Sequence, residues 1–148
     1  MQRTLVLLKP DAVHRRLVGA ILQRFEQKGL RLVGLKLVQA SRALAEKHYA
    51  VHRGKPFFED LLRFLTSGPT LAVCLEGREA VAVVRSLMGQ TDGAKSPPGT
   101  IRGDFGLSVQ NNLVHGSDSP ENAAQEIEIW FKPDELLNYQ IAGSEWVG

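Results

Sequence analysis

The chain has a single cysteine and no long apolar run. Cys74 has no second cysteine to pair with, and its neighbours in TLAVCLEG are apolar, which predicts a buried, reduced thiol rather than a reactive one. No stretch approaches the roughly 20 apolar residues of a membrane-spanning helix. The apolar run in the first residues, MQRTLVLLKPD, is too short for the hydrophobic region of a secretory leader. We therefore expect a soluble cytoplasmic protein with no membrane partner.

Charge of one sign is also lacking. Lys and Arg number 18, Asp and Glu number 16, and the formal net charge is +2. This balance does not favour a nucleic-acid partner, so we expect no specific nucleic-acid binding. The common glycine cradles for phosphate are absent, because GKP at 54–56 has no glycine five positions earlier and no G-x-G-x-x-G occurs. Any phosphate must be held in another way.

The spacing of apolar residues predicts alternating strands and helices within one domain, residues 1–148. Strands are predicted in TLVLLKPD, LRLVGLKLVQ, PTLAVCLEG and NLVHGS. Helices are predicted in LVGAILQRFEQKG, SRALAEKHYAVHRG, KPFFEDLLRFLTSG, REAVAVVRSLMG and SPENAAQEIEIWF. Two βαβ-like halves that share one sheet predict an α+β, ferredoxin-like sandwich, in which helices pack on a four-stranded antiparallel sheet.

One long segment, GQTDGAKSPPGTIRGDFGLSVQNN, has no clear period and is rich in Gly and Pro. In a compact domain such a segment is typical of a binding loop or of disorder. Thr91, Ile101, Arg102 and Phe105 favour an ordered loop. The tail KPDELLNYQIAGSEWVG predicts a short helical turn followed by a surface extension.

Two further motifs, the pair His48 and His52 and the RGD segment, do not indicate a function. His48 and His52 are four residues apart in a predicted helix, which can present two imidazoles to a metal ion. No third ligand has suitable spacing, so we interpret them as part of a solvated polar face. The tripeptide RGD at 102–104 occurs by chance in many chains, and in RGDFG the charge of Asp104 contradicts an RNA-stacking signature.

His115 stands out among the histidines. It ends a short apolar run and precedes a predicted helix that begins at Ser119 and Pro120, whose free N–H groups attract anions such as phosphate. Polar side chains surround it along the chain, namely Asn112, Ser117, Asp118 and Glu126. Spacing alone leaves four roles open for this imidazole: a hydrogen-bonded core residue, a metal ligand, a general base or a nucleophile.

The segment NLVHGSDS resembles the N-x-x-H-G-S-D signature of nucleoside diphosphate kinases. The fixed positions are Asn112, His115, Gly116, Ser117 and Asp118. Other segments match the family in the same order: LLKPD, HY, PFF, PGTIRGDF and EIWFKPDEL. The resemblance covers essentially the whole chain.

The resemblance implies transfer of the γ-phosphoryl group from a nucleoside triphosphate to a nucleoside diphosphate, by a ping-pong mechanism and usually with Mg²⁺. His115 would carry the phosphoryl group, with Ser117 and Glu126 supporting the imidazole and Tyr49 lying near it and Lys9. The groups that contact the phosphates would be Lys9, Arg85, Thr91 and Arg102. Asp118 would hold Mg²⁺ through water.

The resemblance also implies how the nucleotide would be held. Phe57 would stack on the base, Leu61 and Val109 would line the slot, and Asn112 with Lys9 would contact the sugar. Core packing is the alternative for Phe57 and Leu61, because both fit the apolar face of a helix. Every base has an aromatic face that can stack on Phe57, so broad base specificity is expected.

Members of the family are commonly homohexamers, and some bacterial members are tetramers; the tail through EWVG resembles the hexameric members. A departure bears on this point, because TDGAK carries Gly93 where the family often has a proline soon after the Thr91 position. Two other classes of function stay open: a nucleotide- or nucleic-acid-binding module without turnover, and an adhesion scaffold that uses RGD. The intact signature positions favour the enzyme over a binding module without turnover. An adhesion scaffold would require export of the protein.

Overall fold

The computed structural model describes residues 1–148 and is built on one four-stranded antiparallel sheet. The strand order is β2-β3-β1-β4, with bounds β1 (Gln2–Leu8), β2 (Arg31–Gln39), β3 (Pro69–Gly77) and β4 (Val114–Gly116). β1 lies between β3 and the short β4, and Leu7 is paired with His115. The predicted ferredoxin-like sandwich is confirmed.

Seven helices accompany the sheet. They are α1 (Pro10–His14), α2 (Val18–Lys28), α3 (Arg42–His48), α4 (Phe58–Leu65), α5 (Ala80–Met88), α6 (Ile101–Phe105) and α7 (Pro120–Trp130). The ends follow local chemistry: the Ser119 hydroxyl accepts the N–H of Asn122 at the start of α7, and Gly29 ends α2 with a φ of 105°.

The sheet is covered on both faces, which explains why its central strands read as continuous apolar runs. Val6 and Leu8 belong to a core cluster with Phe25 of α2. Leu5 and Leu7 point to the other face, into a cluster with residues of α3, α4 and α7. A strand that is buried on both faces needs no polar alternation. Lys9 is the first residue after β1 and so lies at the edge of the sheet where this strand ends.

Cys74 in β3 is fully buried, as the sequence predicts, and burial raises the pKa of its thiol to about 11. None of the helices has the length and apolar character that would be needed to cross a bilayer.

The structure differs from the predicted elements in four places. The helix predicted from Ser41 ends at His48, and a 3₁₀ turn over Ala50–His52 follows, so His48 and His52 do not share a helix. The next helix begins at Phe58 rather than near Pro56. The long loop contains a 3₁₀ turn and the five-residue α6, and α1 was also missed. Helices this short show no apolar period.

Helix α6 is anchored by a close approach of its glycine to the preceding loop. The N–H of Gly103 donates to the Thr100 hydroxyl, and a Cβ on Gly103 would lie 1.9 Å from the carbonyl oxygen of Pro97. The obstacle is backbone, so α6 or the loop must move to admit a side chain.

We expect Gly103→Ala to lower the free energy of unfolding by about 2 kcal/mol, since overpacking forces the backbone to shift. Gly19→Ala is the matched control, because Gly19 is an exposed residue of α2 and a Cβ there meets nothing within 4 Å. Alanine at Gly19 should be neutral or stabilise by up to about 1 kcal/mol. Urea unfolding measures both, and equal stabilities would contradict the packing argument.

Candidate active site

The end of β1, strand β4 and the long loop meet around a cavity of about 460 Å³. It collects side chains that are far apart in sequence. Of the residues singled out from the sequence, those that line it are Lys9, Tyr49, His52, Phe57, Leu61, Arg85, Thr91, Arg102, Val109, Asn112 and His115. The pairing of β1 with β4 brings the Lys9 end of one strand beside the His115 strand.

His115 is half-buried, and one of its two ring nitrogens is engaged. Nε2 lies 2.8 Å from Oε1 of Glu126, while Ser117 Oγ donates to the same oxygen over 2.7 Å. A carboxylate only accepts, so we assign the ring proton to Nε2. This leaves the lone pair on Nδ1, which has no hydrogen-bond partner within the protein.

Glu126 stays ionised in this position. Burial acts to raise the pKa of Glu126, but the hydrogen bonds from His115 and Ser117 hold it below its usual value. Ser117 is fully buried and also accepts the N–H of Leu5 at 3.2 Å, which fixes it to β1. Of the expected supporting pair, Glu126 contacts the imidazole directly, and Ser117 acts on it through Glu126.

His48 contradicts the interpretation of a solvated polar face. Its side chain is buried, and its Nδ1 accepts the indole N–H of Trp130 at 3.1 Å. Its ring packs edge-on against that of His115, with centroids 4.6 Å apart. Burial, reinforced by His115, lowers the pKa of His48 to about 3, so this imidazole is neutral at physiological pH. The packed ring of His48 therefore supports that of His115, a role that spacing along the chain does not reveal.

His48, His115 and Glu126 place ligand-type atoms within 4.8 Å of one another. One nitrogen of each imidazole is already engaged, Nδ1 of His48 by Trp130 and Nε2 of His115 by Glu126. Imidazole is also a ligand for zinc or copper rather than for Mg²⁺. The trio is best described as a support for the His115 ring.

Lys9 is a buried cation at the cavity wall. Its Nζ donates to Oδ1 of Asn112 and lies 5.6 Å from the centroid of the Phe64 ring. Burial lowers the pKa of Lys9 to about 8; the negative charge of Asp11 opposes this shift, and Arg102 adds to it. An anion in the cavity would favour the charged form of Lys9.

Arg102 joins α6 to the active-site strand. Its guanidinium donates to three backbone carbonyls, those of Asn112 at 3.1 Å, Gly89 at 3.3 Å and Val114 at 2.7 Å. Burial, reinforced by the charge of Arg85, lowers the pKa of Arg102 to about 10, and the side chain remains cationic at neutral pH. The fixed guanidinium both orders the loop and supplies positive charge.

Arg85 is exposed on α5, yet it lines the cavity and donates to the carbonyl of Gly116 at 3.2 Å. Together with Lys9 and Arg102 it surrounds the His115 strand with positive charge. The three cations come from the end of β1, from α5 and from α6, so only the fold assembles them.

The expected base slot lies at the mouth of the cavity. Phe57 is 45% exposed and Val109 is 57% exposed, and Leu61 lies between buried and exposed. Neither Phe57 nor Leu61 belongs to a core cluster. Core packing, the alternative for these two residues, is therefore not their role.

Asp118 does not line this cavity. Its carboxylate accepts the side-chain N–H of Asn122 at 2.6 Å. It borders an adjoining space of about 330 Å³ that His115 and Arg85 also line. The structure places Asp118 near the imidazole but apart from the expected base slot.

The buried imidazole of His48 should shape the acid stability of the protein. The unfolded chain takes up its proton near pH 6.5, whereas the folded chain does so only near pH 3. The unfolded state thus binds more protons within this window, and stability falls as the pH decreases through it.

We expect the free energy of unfolding to fall by up to about 1.4 kcal/mol per pH unit below pH 6.5. His48→Gln keeps an acceptor for Trp130 and should remove one proton's worth of this slope between pH 6.5 and 4.5. The same change at exposed His14 is the matched control and should retain the slope. Urea unfolding across this range measures it, and an unchanged slope in His48→Gln would contradict the assignment.

Comparison with known proteins agrees with this geometry. The family model described as nucleoside diphosphate kinase matches residues 2–136. A nucleoside diphosphate kinase of Thermomicrobium roseum is 55% identical over 147 residues, which cover 99% of each chain. The nucleoside diphosphate kinase of Carboxydothermus hydrogenoformans is likewise 55% identical, with the same coverage.

Solved structures give the same result. A nucleoside diphosphate kinase family protein from Babesia bovis superposes with a TM-score of 0.97 at 42% identity, over 100% of both chains. A halophilic nucleoside diphosphate kinase from Halobacterium salinarum, in complex with CDP, has a TM-score of 0.96 at 46% identity and covers 99% of this chain and 98% of its own. The chain therefore belongs to the nucleoside diphosphate kinase family, and it is an enzyme of nucleotide phosphoryl transfer.

Proposed function

We propose that the protein moves the γ-phosphoryl group of a nucleoside triphosphate to a nucleoside diphosphate through a phosphohistidine at Nδ1 of His115. One observation carries the proposal: the imidazole lines a cationic cavity while a carboxylate occupies its other nitrogen. The bond to Glu126 keeps the ring in the tautomer whose Nδ1 lone pair is available.

The chemistry balances without a further reactant. The Nδ1 lone pair attacks the γ-phosphorus, and the bond from phosphorus to the β,γ-bridging oxygen breaks, so the diphosphate leaves with that electron pair. The ring keeps the proton on Nε2, and Glu126 offsets the positive charge that develops on the imidazole. A second diphosphate then attacks the phosphohistidine in the reverse sense. One cavity serves both half-reactions, so donor and acceptor need not bind together.

The transferred group spreads negative charge over its oxygens, and catalysis depends on fixed positive charge around them. Lys9, Arg85 and Arg102 supply it in our proposal, with the Thr91 hydroxyl as a further contact. Loss of one such preorganised group should cost about 3 kcal/mol of transition-state stabilisation. Burial and the charge of Glu126 raise the pKa of Tyr49 to about 12, so its hydroxyl remains a neutral donor at the cavity wall.

Phe57 supplies the platform for the base, between Leu61 and Val109, and Asn112 with Lys9 meets the sugar. The exposure of Phe57 and Val109 at the cavity mouth supports this arrangement. The CDP complex of the Halobacterium salinarum relative, 46% identical to this chain, also supports a nucleotide in this cavity.

The donor set indicates how Mg²⁺ would be held. Asp60 is the one carboxylate that lines the main cavity, which is too few for a site made of protein ligands alone. Mg²⁺ keeps several waters and commonly binds through substrate phosphates. It would neutralise phosphate charge, and Asp118 would reach it through water from the adjoining space.

We further propose a cytoplasmic homo-oligomer, with the hexamer as its form. Support for self-association comes from β2, an edge strand of the sheet on which Leu35 and Leu37 are exposed. Exposed apolar residues on an edge strand favour pairing with another chain.

The phosphohistidine has a direct test. Incubation with γ-labelled ATP and no acceptor should label the protein, and the label should survive alkali and be lost in acid. His115→Ala should lose both the labelling and at least about 1,000-fold of the turnover, because the nucleophile is gone. His52→Ala, which removes another cavity imidazole, is the control and should still be labelled. Label that persists in His115→Ala would assign the nucleophile to another histidine.

Broad base specificity is tested by comparing ADP, GDP, CDP and UDP as acceptors. We expect kcat/KM values within about 10-fold of one another, because a stacking platform makes no hydrogen bond to a base edge. Phe57→Ala should lower kcat/KM for all four by a similar factor of about 10, since base stacking contributes roughly 1–3 kcal/mol. Phe57→Trp, which keeps a platform, is the control. A hundredfold preference for one base would refute this part of the proposal.

A further inference from the structure

A strained turn lies immediately before the His115 strand. Leu113 has a φ of 74°, and the N–H of Val114 donates to the carbonyl of Asn112 at 2.8 Å. A hydrogen bond across one residue with positive φ defines a γ-turn of the rare, strained kind. Such conformations persist only where the surroundings hold them in place, and they cluster at functional sites.

Both backbone polar groups of Leu113 are held by the start of α1. Oδ2 of Asp11 accepts the N–H of Leu113 at 3.0 Å, and the carbonyl of Leu113 accepts the N–H of Lys9 at 2.8 Å. The Leu113 side chain is 0% exposed and belongs to the core cluster with Phe25. The turn is thus fixed on one side by packing and on the other by a contact across 102 residues of sequence.

The turn sets the direction of two residues that the reaction needs. Asn112 opens it, and its side chain accepts from Lys9 and donates to the carbonyl of Thr91 at 3.0 Å. His115 follows one residue after it, in β4. If Leu113 relaxed to a negative φ, the chain direction would change between Asn112 and His115. The pair would then no longer face the cavity together.

A carboxylate is a costly choice for this position if it serves only as a hydrogen-bond acceptor. Oδ1 of Asp11 is buried and has no hydrogen-bond partner. An unpaired buried oxygen of this kind is unfavourable for folding. Its charge acts on neighbouring Lys9, where it opposes the effect of burial. The same side chain therefore contacts the turn and supports a cation of the cavity.

We propose that Asp11 is a positioning residue of the phosphoryl-transfer site: by accepting the N–H of Leu113 it holds the γ-turn of residues 112–114, and so keeps Asn112 and His115 aimed into the cavity. This inference rests on the proposed function and extends it to a residue outside the cavity lining. Asp11 touches no reacting atom and acts through the backbone.

The test compares Asp11→Ala with Asp11→Asn in the single-turnover rate of His115 phosphorylation by ATP, at a temperature where both are folded by circular dichroism. Alanine removes the acceptor, and we expect phosphorylation to slow about 100-fold, as a misplacement of about 1 Å can produce. Asparagine keeps an acceptor oxygen, and its rate should stay within about 10-fold of the wild type.

Glu135→Ala is the matched control, because it removes a carboxylate that accepts a backbone N–H, that of Lys132 at 2.7 Å, outside the cavity. It should phosphorylate at the wild-type rate even if it melts at a lower temperature. If Asp11→Ala does not fold, Asp11→Ser replaces it, since the shorter hydroxyl cannot span to the Leu113 amide; we expect the same loss.

The outcomes separate the two proposals. A folded Asp11→Ala or Asp11→Ser variant that phosphorylates His115 at the wild-type rate would overturn the positioning role and leave the proposed function intact. Equal losses in the alanine and asparagine variants would also overturn it, because the hydrogen bond would then be irrelevant. A wild-type protein that takes no label on His115 would overturn the proposed function itself.

Discussion

The hydrogen bond between His115 and Glu126 is the interaction on which the chemistry of this fold depends. An imidazole without a partner interconverts between tautomers and rotates, whereas a carboxylate 2.8 Å from Nε2 selects one tautomer and one orientation. The bond requires β4 and the middle of α7 to be fixed relative to each other, and Ser117 does this by contacting both Glu126 and Leu5 of β1. His48 completes the enclosure as a neutral ring held by Trp130.

Positive charge is kept in this site at a cost to folding. Burial lowers the pKa of Lys9 from 10.5 to about 8, so the folded chain bears the full cost of the buried charge below pH 8. That cost is relieved as the pH rises from about 8 to 10.5, because the folded chain loses the proton in this range while the unfolded chain retains it. A bound phosphate provides the same relief without a change of pH, by pairing with the ammonium. In the proposed site, burial would therefore make Lys9 responsive to the substrate, while Arg102, bonded to three carbonyls, stays fixed.

The sequence predicted what is periodic or carried by a motif, and it failed where short-range geometry decides. Strands β1 and β3 are long apolar runs and were predicted. Helices α1 and α6 have five residues each, too few for a period. The buried His48 is bonded to Trp130, which lies 82 residues away in the chain, so the local spacing of residues could not predict its burial. The positive φ of Leu113 has no sequence signal either, because the residue is a leucine rather than a glycine.

The site divides into a rigid floor and an open mouth, and this division accounts for the breadth of substrate that we propose. His115 lies on β4 and Glu126 on α7, and Ser117 bonds to both Glu126 and β1, so the nitrogen that we propose to react is held closely. Phe57 and Val109 lie outside both core clusters and are about half exposed. In the proposed binding mode, a slot with so few constraints would discriminate weakly among bases, whereas the phosphates, which every nucleotide shares, would meet Lys9, Arg85 and Arg102. The most rigid part of the proposed site is thus the part that would act on the phosphates, which all the substrates share.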